Sequence, residues 1–259
     1  MPMIDANGER LGYIIEGSGP SVLLIHSMGA DVSMWRDQIA ALSDRYTCIA
    51  FDCRGHGGST YNARFVVAEV AADLKAGLDG LGIGACHVVG LAMGGPIAVS
   101  FAAQWPQAVR SIVIADGFVD MREVGGARTP DWAKTIRATP MAEFGENYAR
   151  MRLAPSASQN ARRDLAQAIA KVPPEAYIDV MKAIFEIEFT AELAAVTAPT
   201  MVIWGEHDDV TPLVHSQQIA DGIPGARLET IADAAHIANL DQPEAFNRLL
   251  AEFLDQQPG

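Results

Sequence analysis

The sequence predicts an α/β fold in which a mostly parallel sheet of eight strands is covered by helices. Short apolar runs of strand length alternate with longer segments of helical period. The runs are rich in Val and Ile and apolar on both faces, which is typical of strands buried in a parallel sheet. A glycine-rich turn joins one of these runs directly to a helical segment. Alternation of this kind produces parallel strands with right-handed crossovers.

The composition bounds the class of protein and its partners. The chain has 259 residues, of which 49% are hydrophobic and 20% charged, so it suits one large domain or two small ones with a substantial core. A net charge of -13 would repel a phosphate backbone and an anionic membrane face. The most apolar stretch, residues 87–103, is broken by glycines and a proline. We therefore expect neither nucleic acid nor a membrane as a partner, while the oligomeric state is left open.

The cysteines and the N-terminus indicate where the protein resides. Cys48, Cys53 and Cys86 are odd in number and show no C-x-x-C spacing, so the sequence predicts neither a disulfide framework nor a zinc site. The first residues lack the basic region and apolar run of a signal peptide. Together these observations favour a reducing, cytoplasmic location.

The predicted elements follow in order along the chain. Two opening segments flank an Asn-Gly pair, which is a hairpin signal, and six apolar runs come after them. The predicted strands are 3–5, 11–16, 21–25, 46–51, 86–89, 111–115, 200–204 and 227–231. The helical patterns among them are 34–42, 65–81, 95–105, 212–219 and 243–253. Because ligands bind at the carboxyl ends of parallel strands, we expect the chemistry in the residues that follow each run.

One stretch interrupts the alternation. Between residues 119 and 196 no strand is indicated, and the periodicity is helical around 131–137, 141–153, 158–169 and 174–189. We expect this insertion, 119–196, to form a helical cap over the carboxyl edge of the sheet. Residues 1–118 and 197–259 would then form a single core.

The sharpest local feature is Gly-Leu-Ala-Met-Gly-Gly at 90–95, directly after one strand and directly before a helix. Its glycines permit a strained turn and a close approach of strand and helix. The side chain at the apex of such a turn projects above the sheet. That side chain is Ala92, whose methyl group cannot act as a nucleophile.

Five segments, each at the end of a predicted strand, together resemble the α/β-hydrolase family. They are HSMGA at 26–30, DCRGHGGS at 52–59, GLAMGG at 90–95, GEHDD at 205–209 and AHIANLDQP at 235–243. In the family the third position of the glycine-rich turn is normally the serine of G-x-S-x-G, and here it is Ala92. The sequence is most similar to the 3-oxoadipate enol-lactonases and small carboxylesterases. The resemblance implies the α/β-hydrolase fold and Ser-His-Asp acyl transfer on carboxylic esters or lactones, a small-molecule substrate class.

The resemblance also implies which residues would catalyse the reaction. His236 would be the general base and Asp208 the carboxylate that orients it. We prefer Asp208 to its neighbour Asp209, because the family places the acid three residues after a glycine, here Gly205. Residues 90–95 do not show the G-x-G-x-x-G register of a dinucleotide site, and there is no metal-ligand cluster, so no cofactor and no metal are expected.

The remaining site residues concern the oxyanion and the substrate. The backbone N–H groups of Met28 and Met93 would form the oxyanion hole, since the family uses the residue after the nucleophile and one from the loop after an early strand. Arg122 and Arg137 are the cap cations that could meet an acidic substrate. The candidate substrate-binding residues are Ser27, Trp132, Arg137 and Tyr148.

Ala92 leaves three interpretations open. It replaces a natural serine and thereby inactivates the enzyme, which the intact His236 and Asp208 favour. Alternatively, the chain is a natural non-catalytic binding protein that kept the pocket. In the third interpretation His236 acts as a base without a covalent step, as in C–C bond or cofactor-independent chemistry.

Overall fold

The computed structural model describes residues 1–62 and 64–257, without the side chains at 123, 124 and 126–128. Its centre is an eight-stranded sheet, as the sequence predicts. The strands are β1 (Met3–Ala6), β2 (Glu9–Gly17), β3 (Ser21–Ile25), β4 (Thr47–Phe51), β5 (Cys86–Leu91), β6 (Val109–Ala115), β7 (Thr200–Gly205) and β8 (Arg227–Ile231). The predicted fold class is therefore confirmed.

The strand order explains why the central runs are apolar on both faces. The order is β1-β2-β4-β3-β5-β6-β7-β8, with antiparallel pairing only where β2 meets β1 and β4. The other neighbouring strands are parallel. Every residue of β5 is buried, and so are four of the five in β3. The carboxyl ends of β3 to β8 consequently lie at one edge of the sheet, and the five predicted motifs lie at or just after the ends of β3, β4, β5, β7 and β8.

Eleven α-helices are present in the described part of the chain. Those of the core are α1 (Arg36–Leu42), α2 (Val67–Gly80), α3 (Gly94–Gln104), α9 (Leu213–Gly222), α10 (Ala238–Asp241) and α11 (Pro243–Leu254). Short 3-10 helices at Val32–Trp35 and Pro106–Ala108 accompany them. Helix α1 packs against α11, α2 against α3, and α3 against the strands β5 and β6. The sheet is thereby covered as the alternation predicts.

Between β6 and β7 the chain is helical, apart from one isolated bridge between Asp120 and Glu188. The helices are α4 (Arg122–Ala138), α5 (Met141–Arg152), α6 (Gln159–Lys171), α7 (Pro174–Phe185) and α8 (Thr190–Leu193). Helix α4 packs on α7, and α5 packs on α6. We call α4 to α8 with their connecting loops the helical insertion.

The insertion differs in one place from the sequence prediction. Helix α4 begins at Arg122, well before the predicted start at 131, and contains Pro130. Glycine and proline disfavour helix, so the local pattern hid its first half. Packing of α4 against α7 compensates for the low helix propensity of this segment. A Cβ at position 125 would lie only 2.1 Å from the Cβ of Phe185, so only glycine permits this packing. The glycine that weakens the helix is what allows the two helices to approach.

No helix within residues 1–62 and 64–257 is long and apolar enough to span a membrane. Cys48, Cys53 and Cys86 are free thiols buried in the core. Burial raises the pKa of Cys48 and of Cys86 to about 12, so both remain protonated and unreactive at neutral pH.

Candidate active site

The glycine-rich turn after β5 holds Ala92 in a left-handed backbone conformation, with φ of 49°. A non-glycine residue there is strained and persists only when its surroundings enforce it. A Cβ at Gly90 would lie 2.1 Å from the carbonyl oxygen of Gly94, and one at Gly94 would lie 2.2 Å from that of Ile25. Only glycine therefore fits these two positions, and the turn directs the side chain of Ala92 into a cavity.

A histidine and an aspartate from two separate loops meet beside this turn. Nδ1 of His236 lies 2.9 Å from Oδ2 of Asp208, and both side chains are buried. The other oxygen of Asp208 accepts hydrogen bonds from the backbone N–H groups of Val210 and Thr211, at 2.8 and 3.0 Å. The hydroxyl of Thr211 donates to Oδ2 of Asp208 at 2.5 Å.

These contacts keep Asp208 ionised. Burial opposes the charged form, but the positive charge and hydrogen bond of His236, together with the hydrogen bonds from Thr211, outweigh it and lower the pKa of Asp208. An ionised carboxylate fixes the orientation of the imidazole and stabilises its protonated form. Nε2 of His236 has no hydrogen-bond partner in the described part of the chain, and the residue lines the same cavity as Ala92.

Two backbone donors are available in the same cavity. Met28, in the turn after β3, and Met93, directly after Ala92, both line it. Neither backbone N–H has an acceptor within the residues that the structure describes. A backbone N–H without a protein acceptor is left to bind water or a ligand, so these two are candidate donors to a ligand oxygen.

The loop of Met28 is fixed from below by His26. Nε2 of His26 accepts a hydrogen bond from the backbone N–H of Cys53 at 2.9 Å, and Nδ1 lies 2.8 Å from the carbonyl oxygen of Ser27. Burial lowers the pKa of His26, which stays neutral and can accept that bond. The motif at 52–59 therefore braces the loop at 26–30.

The cavity measures about 510 Å³ and lies between the sheet edge and the helical insertion. Its walls are largely apolar, as is typical of a small-molecule site. The apolar lining includes Phe118, Met121, Trp132, Ile136, Phe144, Met181, Ile184 and Phe185. Among the described residues, the polar lining consists of Thr135, Tyr148, Arg152, Tyr177, Asp209, Thr211 and His236.

The structure brings only two of the four predicted substrate-binding residues into this cavity. Trp132 and Tyr148 line it. Ser27 is fully buried outside the lining, with its hydroxyl lacking a partner. Arg137 lies on the surface, where its guanidinium pairs with Glu175 at 2.8 Å. The sequence pattern of α4 could not show which of its residues face the cavity, because polar residues such as Thr135 and Arg137 lie on both faces of the helix.

The other predicted alternatives lie apart from the imidazole. Asp209 is exposed, and its carboxylate lies 3.8 Å from the guanidinium of Arg152. Arg122 pairs with Asp120 at 2.7 Å on the surface. Asp208, and not Asp209, is therefore the carboxylate in contact with His236.

Arg152 and Tyr177 line the cavity and were not predicted from the sequence. The guanidinium carbon of Arg152 lies 5.7 Å from the ring centroid of Tyr148. The hydroxyls of Tyr148 and Tyr177 have no hydrogen-bond partner among the described residues. Burial raises the pKa of both tyrosines, so both are neutral hydrogen-bond donors at pH 7. Charged and aromatic residues on helices usually face solvent or the core, so no sequence signal marked them.

One further carboxylate links the insertion to the histidine loop. Asp241 accepts hydrogen bonds from the backbone N–H groups of Ala154 and Ala235, at 2.8 and 2.7 Å. Burial raises its pKa to about 6. Ala235 directly precedes His236, so the position of the insertion and that of the imidazole are coupled through one side chain.

A known protein family and a sequence relative match this chain over most of its length. The family described as alpha/beta hydrolase fold matches residues 20–243. 3-Oxoadipate enol-lactonase 1 of Acinetobacter baylyi is 26% identical over 258 residues, covering 95% of this chain and 94% of its own length.

Solved structures agree over nearly the whole chain. The enol-lactonase from Burkholderia xenovorans LB400 superposes with a TM-score of 0.89 at 26% identity, covering 98% of this chain and 100% of the other. An esterase from Thermogutta terrifontis, solved with malate bound, gives a TM-score of 0.90 at 26% identity and covers 99% of each chain.

Proposed function

The chain belongs to the alpha/beta-hydrolase family, and from this premise we propose that its site is that of a serine-type hydrolase of carboxylic esters or lactones. Ala92 occupies the nucleophile position, as an inactivating replacement of serine. The proposal rests on the meeting of several catalytic features at one cavity. An oriented imidazole, a strained turn and two residues with unpaired backbone N–H groups line one cavity together with Ala92.

The reaction follows from these positions once a serine hydroxyl stands at the apex. Its oxygen attacks the ester or lactone carbonyl while Nε2 of His236 removes the proton. The N–H groups of Met28 and Met93 donate to the carbonyl oxygen as it becomes negative. The protonated imidazole then gives its proton to the leaving oxygen, and the acyl group remains on the serine. Water, deprotonated by His236, releases the acid and restores the enzyme.

The chain with Ala92 lacks the first step of this sequence. In serine proteases, loss of the nucleophile costs about 10⁶-fold in turnover, with residual catalysis left to binding and the oxyanion hole. We expect a loss of the same order here. Ala92 leaves the cavity intact, so the chain is expected to bind its substrate and retain it.

The helical insertion selects the substrate in this proposal. Residues 119–196 act as the cap, and the walls that they contribute are mostly apolar. Tyr148 and Tyr177 offer neutral donors, and Arg152 is the cationic group in the described lining. This arrangement favours an ester or lactone with an apolar body and an oxygen-rich group at the Arg152 end. Arg152 takes the role that the sequence suggested for Arg137.

The test is the substitution Ala92→Ser. We expect hydrolysis of short p-nitrophenyl esters or of one member of a lactone panel to rise by at least about 10⁴-fold. Ala92→Gly is the matched control, because glycine also fits φ of 49° and carries no hydroxyl. No gain by Ala92→Ser over Ala92→Gly, with the fold confirmed by circular dichroism, would contradict the proposal. Tight ligand retention in that case would identify a binding protein.

A further inference from the structure

Asp116 is a buried residue at the carboxyl end of β6 that is outside the described cavity lining and makes no hydrogen bond to the imidazole of His236. It is completely inaccessible to solvent and holds a left-handed backbone conformation, with φ of 45°. A non-glycine residue rarely adopts this conformation, and Asp and Asn tolerate it best. Its position follows the strand next to the one that carries Ala92.

The carboxyl group of Asp116 joins the two loops that supply Asp208 and His236. One oxygen accepts a hydrogen bond from the backbone N–H of Gly205 at 2.8 Å, three residues before Asp208. The other accepts from the backbone N–H of Ala238 at 3.1 Å, two residues after His236. A single rigid side chain therefore spans both loops.

The backbone of Asp116 adds two further connections. Its N–H donates to the carbonyl oxygen of Ile203 in β7 at 2.9 Å. Its own carbonyl oxygen lies 3.1 Å from the hydroxyl of Thr211, the group that also lies 2.5 Å from Asp208. The hydroxyl has one proton, which the shorter distance assigns to Asp208, so the loop of Asp208 is tied to Asp116 by a hydrogen bond at Gly205 and by a close contact at Thr211.

We propose that Asp116 is a positioning residue that sets the distance and angle between Asp208 and His236. It acts through the backbone of their loops and makes no contact with substrate. The activity part of this inference rests on the proposed function, whereas the geometric part does not, since the pair exists in the chain with Ala92.

The experiment uses Asp116→Asn in the full chain. Asparagine keeps the shape and tolerates the left-handed conformation, but its amide nitrogen must face one of the two N–H donors. Asp52→Asn is the matched control. Asp52 is equally buried and accepts from the backbone N–H groups of Val32 and Gly58, at 2.8 and 2.7 Å, on the other side of the sheet centre.

The first readout is the downfield NMR resonance of the His236 Nδ1 proton in the chain with Ala92. We expect Asp116→Asn to shift or broaden it, and Asp52→Asn to leave it unchanged. The second readout is kinetic, in the Ala92→Ser background. We expect kcat for a p-nitrophenyl ester to fall about 10- to 100-fold with KM within about twofold, because a displaced catalytic group weakens the chemical step more than binding.

The NMR readout and the kinetic readout distinguish failure of this inference from failure of the proposed function. If Ala92→Ser is inactive, the proposed function is lost, and the NMR comparison still decides the role of Asp116. If Asp116→Asn lowers thermal stability as Asp52→Asn does while the resonance and kcat stay unchanged, Asp116 is only structural and the inference is overturned. Should Asp116→Asn not fold, Asp116→Gly serves instead, since glycine accepts the positive φ and removes both acceptor oxygens.

Discussion

The two sides of the cavity are built on different principles. On the side of the sheet, each group that faces the cavity is fixed by backbone strain or by hydrogen bonds, as with Ala92 and the pair Asp208 and His236. On the side of the helical insertion, the walls are mostly apolar contacts, and the hydroxyls of Tyr148 and Tyr177 have no described partner. The groups of the sheet side are held in position before a ligand arrives, whereas the hydroxyls of the insertion side are held by no hydrogen bond in the described chain.

This difference separates the reaction from the selection of substrate. Groups that must act on a developing charge need positions fixed before the substrate arrives, because reorganising them during the reaction would raise the barrier. Unpaired donors on an apolar wall gain their partners only from a ligand, so they contribute to binding. Changes on the sheet side should therefore alter kcat strongly, and changes on the insertion side should alter KM and selectivity moderately.

The largest effect is expected from His236→Ala in the Ala92→Ser background. Without the base, the hydroxyl keeps its proton, and the rate should fall by about 10⁴-fold or more, back to that of the parent chain. Steady-state hydrolysis of a p-nitrophenyl ester measures this. His207→Ala is the control, since His207 is exposed and lies 3.8 Å from Asp233 on the surface. Equal rates for the two variants would show that His236 is not the base.

Asp208→Asn in the same background should be nearly as damaging. Asparagine holds the imidazole in the wrong tautomer, which in a serine protease costs about 10⁴-fold in kcat. Asp209→Asn provides the contrast, because that carboxylate is exposed and does not contact His236. We expect the Asp209 variant to stay within about threefold in kcat. A reversal of the two effects would move the acid role to Asp209.

The insertion side should respond more weakly and in a different parameter. Arg152→Ala and Tyr148→Phe should each raise KM about tenfold for substrates with an oxygen-rich group, while kcat changes little. Arg137→Ala should leave KM unchanged, because Arg137 pairs with Glu175 on the surface. The measurement is kcat and KM over a panel of charged and neutral esters. A rise in KM for Arg137→Ala alone would place the substrate elsewhere.

The smallest effect concerns the connection between the two sides. The pKa of Asp241 is raised from 3.8 to about 6, so the folded state holds this proton more tightly than the unfolded state does. Its contribution to stability is therefore greatest below about pH 4 and is lost as the pH rises through about 6. Asp241→Asn does not titrate, so its free energy of unfolding should rise by about 3 kcal/mol relative to that of the parent as the pH increases over this interval.

Free energies of unfolding from urea titrations at several pH values between 4 and 7 test this prediction. The difference between parent and Asp241→Asn should change with pH in the stated direction. A difference that stays constant would mean that Asp241 does not titrate in this interval.

The sequence predicted the sheet side better than the insertion side, for a physical reason. Tight turns at strand ends require specific residues, such as Gly90 and Gly94, so their motifs are visible in the sequence. The alternating apolar runs predicted the eight strands, and the family resemblance carried by the turn motifs implied the contact between Asp208 and His236. The alternating apolar runs needed no tertiary information, because both faces of each central strand are buried.

The residues that the sequence did not predict owe their roles to contacts between elements that are far apart in the chain. Arg152 and Tyr177 reach the cavity only because α5 and α7 lie over the sheet edge, and neither helix carries a local signal of that position. Asp116 was missed because a single polar residue after a strand is common, and its partners lie 89 and 122 positions away. The early start of α4 was hidden by Gly125 and Pro130.

The most direct measurement is a rapid-mixing assay of Ala92→Ser with a p-nitrophenyl ester, followed by mass spectrometry. We expect a burst of one equivalent of p-nitrophenol and a transient acyl adduct on the peptide that contains position 92. The parent chain and Ala92→Gly should show neither. A folded Ala92→Ser variant that gives no burst, no adduct and no faster hydrolysis than Ala92→Gly would contradict the account.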